Sequence, residues 1–201
     1  MARQGDLFPA DPVLPAHGSP GPELALSARL LLSWQERLAT FQAPLFREEP
    51  DDQGQTSLFC SPENSPEALA ARFNPLSLQP QPLSFWRWSV SLQQGAAVYF
   101  VIDRLPAQSQ PLLLYVGETG RADRRWKGEH DCKRYLASYG EALAKAGLEG
   151  RPTIRFWLDV PTAIRPRRAL EQALIRRWQP PFNKETRERW ATPFTADPEP
   201  P

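Results

Sequence analysis

Glu171 lies in the stretch RRALEQALIRRW, where helical spacing puts it on the face that carries Leu174, Ile175 and Trp178. A carboxylate at the margin of an apolar stripe is costly unless it is paired or bound to a metal ion, so a salt bridge to Arg167 or Arg168 competes with ligation of a hard cation. Arg125 offers a planar, permanently charged fork that matches phosphate oxygens. Arg121, Arg124 and Lys127 crowd around it, so a solvated basic helix face is the plainer reading of the same residues. Tyr99 and Tyr115 fall in two β-prone runs, where half-buried packing is the default for such side chains. An unperturbed phenol has a pKa near about 10 and does acid–base work only with help from a nearby charge or base.

The elements that must position these groups begin at AAVYFVI, residues 96–102, a β-prone run that stops at Asp103-Arg104-Leu105-Pro106. A second such run, Leu112 to Val116, ends at Gly117, and the two are expected to pair as an antiparallel hairpin, with the glycine supplying backbone freedom at the strand end. The basic segment RADRRWKGEH and the stripe Cys132, Leu136, Tyr139 and Leu143 read as one helix broken near Gly128, or two short ones. Ile154, Phe156, Leu158 and Val160 alternate with Thr153, Arg155, Trp157 and Asp159, the pattern of a third strand with one face buried. Pro166 opens the helix that carries Glu171, and Pro180-Pro181 closes it. The expected fold class is α+β: a β-β-α-β-α core with a three-stranded antiparallel sheet flanked by helices.

Upstream the chain changes character. Residues 1–22 are rich in Pro, Gly and Asp and read as a largely disordered tail. Leu24, Ala28, Leu31, Leu32, Gln35 and Leu38 recur at helical spacing over residues 23–40, and 44–82 then read as a linker ending at Phe85, Trp86 and Trp88. The expected organisation is a Pro-rich tail and linker over 1–85, a folded domain over 86–190 and a short disordered tail over 191–201. Of 24 Lys and Arg and 23 Asp and Glu, five basic and ten acidic residues lie up to Phe85, leaving 19 and 13 beyond it. A basic body with an acidic appendage suits a polyanion partner for the body alone. No run approaches the roughly twenty apolar residues of a membrane span, so no membrane partner and a cytoplasmic location are expected. Cys60 and Cys132 are far apart, and His130 near Cys132 finds no further ligands, which argues against a disulfide framework or a zinc site.

Taken together, Ala97-Val98-Tyr99, Tyr115-Val116-Gly117, Arg125 eight residues after Gly117, and Glu171 twelve residues before Asn183 across Gln179-Pro180-Pro181-Phe182 resemble the GIY-YIG nuclease family over about residues 96–184. The resemblance implies a metal-dependent DNA endonuclease, a phosphodiester hydrolase of repair, recombination or DNA processing. It implies Glu171 as ligand to Mg²⁺ or Mn²⁺, Tyr99 as general base or water-positioning phenol supported by Tyr115, and Arg125 as the catalytic arginine. Gly117 and Asn183 take structural roles, Asn183 tying down local backbone through its amide. Two positions depart from the family. Ala97 stands where Gly is usual, and Glu129 stands where a His or Tyr is often found, so that His130 one residue on, or Glu129 itself, takes the accessory position, or the site is altered. Glu118 follows Gly117 where some repair members carry Lys, which does not support the excision-repair subgroup. Arg121, Arg124, Lys127, Lys133 and Arg134 are the expected phosphate contacts.

Three pentapeptides share one form: Gln4-Gly5-Asp6-Leu7-Phe8, Gln42-Ala43-Pro44-Leu45-Phe46 and Gln55-Thr56-Ser57-Leu58-Phe59. The first and third resemble peptides that dock on the bacterial DNA-polymerase sliding clamp through a glutamine and two apolar anchors, which makes Gln4, Leu7, Phe8, Gln55, Leu58 and Phe59 the expected contacts. For the second, packing of Leu45 and Phe46 on the preceding helix competes with docking. The competing readings of the whole are a nucleic-acid-binding module of this fold without efficient cleavage, and an adapter tethered to the clamp. The oligomeric state and the DNA structure recognised are left open.

Overall fold

The structure, a computed structural model, describes residues 22–48, 65–84, 94–104, 110–122 and 131–194. The run of β-branched and aromatic residues after Gly95 forms strand β2, Ala97–Arg104, and the second run forms β3, Pro111–Thr119. The two pair antiparallel with Tyr99 opposite Gly117 and Val101 opposite Tyr115; Ile102 then faces Leu113, so Leu114 is the extra residue of a bulge. Strand β4, Thr153–Trp157, pairs antiparallel on the other side of β2, with Tyr99 opposite Phe156. A two-residue strand, β1, Gln81–Pro82, pairs antiparallel with β4, giving the order β1-β4-β2-β3. The sheet therefore has four strands rather than three, the extra one supplied by residues read from sequence as linker.

Helices cover both faces of this sheet, which makes the described core α+β in three layers. On one face α1, Pro22–Arg47, and α3, Asp131–Lys145, bury Leu31, Trp34, Leu38, Tyr135, Leu136 and Tyr139 against Tyr99, Val101, Leu114 and Phe156. On the other face α2, Pro66–Arg72, and α4, Ile164–Trp178, bury Ala70, Leu170, Leu174, Ile175 and Trp178 against Val98, Phe100, Ile102 and Val116. Central strand β2 is buried on both sides from Ala97 to Asp103, the reason its sequence reads as a continuous apolar run rather than an alternation. Strand β4 was expected to bury one face only. Its second face is covered as well: Arg155 is buried and Trp157 stacks on Phe73 with ring centroids 3.8 Å apart, because residues 65–84 fold back over it.

Helix α1 runs beyond the expected end near Thr40, through Pro44 to Arg47. Its last turns are held by tertiary contacts. The Gln42 amide donates to the carbonyls of Leu113 and Trp178, each at 3.0 Å, and accepts from Leu113 N–H at 2.8 Å. Phe46 packs on Trp178 with centroids 4.6 Å apart. The middle pentapeptide is thus part of the core, with Gln42 wholly buried. At the C-terminal end, a short helix α5, Arg187–Trp190, follows α4, and Phe194 stands edge-on to Trp34 at 5.4 Å, so ordered packing extends past the boundary expected at 190. No helix among the described residues is long and apolar enough to cross a membrane.

Candidate active site

The antiparallel register sets Tyr99 and Tyr115 diagonally on neighbouring strands, ring centroids 5.9 Å apart and tilted by 30°. Tyr99 is wholly buried, whereas Tyr115 is half-buried. The Tyr115 hydroxyl shares a hydrogen bond with Tyr99; burial first, then the neighbouring Tyr99, Cys132 and Glu171, hold the Tyr115 proton well above the usual phenol range. Gly117 lies inside β3 rather than at its end, and the positive-φ glycines among the described residues are Gly95 and Gly147. Its role is space. A Cβ there would stand 2.5 Å from the Tyr99 hydroxyl oxygen and 2.8 Å from Cε1 of Tyr115, so the tyrosine pair occupies the volume a side chain would need. The glycine expected to supply backbone freedom at a strand end instead permits close packing of the two phenols.

As an edge strand, β3 has backbone groups on its outer side that need partners other than a strand. Side chains supply them in sequence. Gln42 bonds both Leu113 N–H and C=O, Asn183 accepts from Val116 N–H at 3.0 Å and donates to Val116 C=O at 2.8 Å, and Glu171 Oε1 accepts from Glu118 N–H at 3.0 Å. The Phe182 N–H completes the series by donating to Leu114 C=O at 3.0 Å. Glu171 thereby reaches from α4 to the edge of β3 and comes within electrostatic range of Tyr115. Burial and the adjacent Glu118 carboxylate push the Glu171 carboxyl up to about 7, opposed by the Glu118 N–H and the Arg168 charge. Its second oxygen has no hydrogen-bond partner among the described residues.

The arginines on α4 do not pair with Glu171. Arg167 Nε donates to Glu118 Oε2 at 2.7 Å and Arg168 Nε to Glu118 Oε1 at 3.3 Å, while Arg167 Nη1 also donates to the carbonyls of Pro161 and Thr162 at 3.2 and 2.6 Å. Arg167 is buried, and its fork ties the strand end, the helix and the turn before the helix into one unit. Sequence reasoning considered Arg167 as a partner for Glu171 and noted Glu118 after Gly117, but it missed that the two pair with each other beside the site. Their signals were present: Arg167 stands one helical turn before Glu171, and Glu118 directly follows Gly117.

Tyr99, Tyr115, Gly117, Glu171 and Asn183 are therefore brought together. Arg125, His130, Arg124 and Lys127 lie outside the described residues, as do Glu129 and all six expected clamp contacts, Gln4, Leu7, Phe8, Gln55, Leu58 and Phe59. Arg121 is exposed just past β3, its N–H bonded to Thr119 Oγ1 at 3.0 Å, and Lys133 and Arg134 lie in the first turn of α3, Arg134 exposed.

No group of three His, Cys, Asp or Glu side chains gathers as a ligand cluster among the described residues. A half-buried carboxylate with one oxygen open still fits a hard divalent cation that is held by one protein ligand and otherwise by water and substrate oxygens. No family model, curated protein or solved structure matches this chain.

Proposed function

We propose that the chain is a metal-dependent endonuclease that hydrolyses phosphodiester bonds of DNA. The observation that carries this reading is the Glu171 carboxylate, one oxygen anchored on β3 and the other open, set beside a hydrogen-bonded tyrosine pair. Glu171 would hold Mg²⁺ or Mn²⁺, and a bound ion would supply charge neutralisation at the phosphate and a more acidic water. Of the two phenols, Tyr115 is the one with surface to present to a substrate, while the buried Tyr99, hydrogen-bonded to it, fixes its orientation. Glu118 acts on Glu171 twice. Its N–H orients the carboxylate, and its own carboxylate engages Arg167 and Arg168, which keeps both from pairing with Glu171. Arg125, by the same resemblance, would meet the scissile phosphate, and the pentapeptides at Gln4 and Gln55 would tether the enzyme to a sliding clamp.

A second reading, a DNA-binding module of this fold without efficient cleavage, is favoured by two specific facts. Tyr99 has no exposed surface, and Arg167 and Arg168 are engaged by Glu118 rather than left open for a phosphate. Incubating the full chain with supercoiled plasmid and a panel of nicked, flap and branched DNAs, with Mg²⁺ or with chelator, separates the two. Metal-dependent cleavage that Glu171→Ala abolishes supports the enzyme; DNA binding without strand scission supports the module.

A further inference from the structure

At the other end of the sheet from Glu171, a cavity of about 720 Å³ opens between the start of β4 and the segment 76–80. Its lining includes three arginines, Arg104 at the end of β2, Arg151 before β4 and Arg155 within it. Arg155 is buried, and its Nη1 donates to the carbonyls of Leu76 and Leu78 at 3.0 and 2.6 Å, which fixes the guanidinium against the wall. Its Nε finds no acceptor among the described residues. Burial, and after it the charge of Arg104, disfavour the Arg155 proton, so the two cations act on each other across this place. The ion pair of Arg151 is with Glu149 at 4.0 Å, both side chains about three-quarters exposed at 77%, a geometry worth little in water. Three arginines therefore face one concavity, and among the described residues no acidic side chain lines it.

Guanidiniums gathered around a cavity are stabilised by an anion, and their planar forks match the oxygens of phosphates as they do those of carboxylates. The charge count calls for more than one negative charge. The volume lies in the range of about 300–1,000 Å³ typical of ligand sites, and Leu76, Leu78 and Pro80 give it an apolar wall beside the charges. We infer that this cleft is a second anion site, distinct from the Glu171 region, that binds a diphosphate-like group, carried either by a small phosphorylated molecule or by successive phosphates of a nucleic-acid strand. The inference does not depend on cleavage, since it concerns a site at the opposite end of the β2–β3 ladder.

The test is calorimetric titration of the full chain, in low salt with chelator present, using inorganic pyrophosphate in one arm and a short single-stranded DNA in the other. Wild type should bind at least one probe saturably. Arg104→Glu and Arg151→Glu should each weaken that probe by about tenfold or more, while Lys145→Glu, an equal charge change on an exposed residue of α3, should alter it by less than about twofold. Loss of pyrophosphate binding in the cleft variants identifies a small phosphorylated ligand; loss of DNA binding alone identifies a strand. Circular dichroism should leave both variants folded, since Arg104 and Arg151 are exposed. The site is refuted if neither probe saturates, if both cleft variants bind as wild type does, or if Lys145→Glu weakens binding as much as they do. An absence of nuclease activity would bear on the proposed function and leave this result standing.

Discussion

Asp103 and Glu171 sit at opposite ends of the β2–β3 ladder, and burial raises the pKa of both carboxyls. They differ in how they are satisfied. Asp103 is sealed: Tyr139 donates its hydroxyl proton to Oδ2 at 2.8 Å, the Arg151 N–H donates to Oδ1 at 2.6 Å, and the Gln35 amide donates to the Tyr139 oxygen at 2.9 Å. Helix α1, helix α3 and the approach to β4 thus converge on one side chain that has no surface. Glu171 has one N–H on one oxygen and, among the described residues, no partner on the second. The same desolvation is met at Asp103 by a donor on each oxygen, whereas at Glu171 one oxygen has no donor among the described residues, the feature on which the proposed reactive role rests. Burial alone does not separate the two carboxyls; the count of partners does.

The sharpest way to break this comparison is Glu171→Ala. Cleavage should fall by about two orders of magnitude or more, with DNA affinity within a few-fold of wild type, because the change removes a ligand and no core volume. Metal-dependent nicking at an undiminished rate would return Glu171 to a purely structural role like that of Asp103. Next in size is a pair of glycine replacements. Gly117→Ala places its Cβ against the ring and hydroxyl of buried Tyr99 and should cost about 3 kcal/mol, whereas at Gly150 only one of the two close atoms, Asp103 Oδ2 at 2.8 Å, is held in place, the other being Leu143 Cδ1 at 2.6 Å at the free end of a flexible side chain. Gly150→Ala should therefore cost clearly less in urea unfolding. Equal midpoints for the two variants would show that the tyrosine pair gives way as readily as the loop end.

A third prediction uses pH. The Glu171 carboxyl keeps its proton up to about 7 in the folded chain against an ordinary value of 4.5. Between those values the unfolded state has lost a proton the native state retains, so stability is fully present below about 4.5 and falls as pH rises through 7. In chelator, Glu171→Gln should raise stability at pH 8 by about 2 kcal/mol after allowance for solvent screening, or about 4 to 8 °C in Tm, with no gain at pH 4. A thermal scan in which the gain is as large at pH 4 as at pH 8 would assign it to something other than this carboxyl. The smallest effect is expected at the sealed end: Tyr139→Phe should cost about 1 to 2 kcal/mol by stripping Asp103 and Gln35 of a shared partner. Its cleavage rate should match wild type, while Tyr115→Phe should slow cleavage by about tenfold or more and cost little stability. The reverse pattern would exchange the roles assigned to the two ends.

Much of the frame was legible in local pattern. The β-prone runs at residues 96–102 and 112–116 mark the hairpin, the alternation from Thr153 marks β4, and the face of Leu174, Ile175 and Trp178 after Pro166 marks α4, because period and composition act over a few residues. So were Tyr99, Tyr115 and Glu171 as chemically capable groups. What could not be read is what distant segments do to one another. Two residues, Gln81 and Pro82, become a strand because β4 offers them an edge. Gln42 carries α1 past Thr40 because Leu113 and Trp178 present unpaired backbone groups to it. Glu118 captures the arginines that helix spacing assigns to Glu171, since the register of β3 brings its carboxylate to them first. Sequence alone determined which residues could form strands, helices and reactive groups, since those choices depend on neighbours along the chain. Tertiary structure decided which glycine makes room for a tyrosine, which carboxylate is sealed and which is left open, because those depend on donors and volumes supplied by segments tens of residues away.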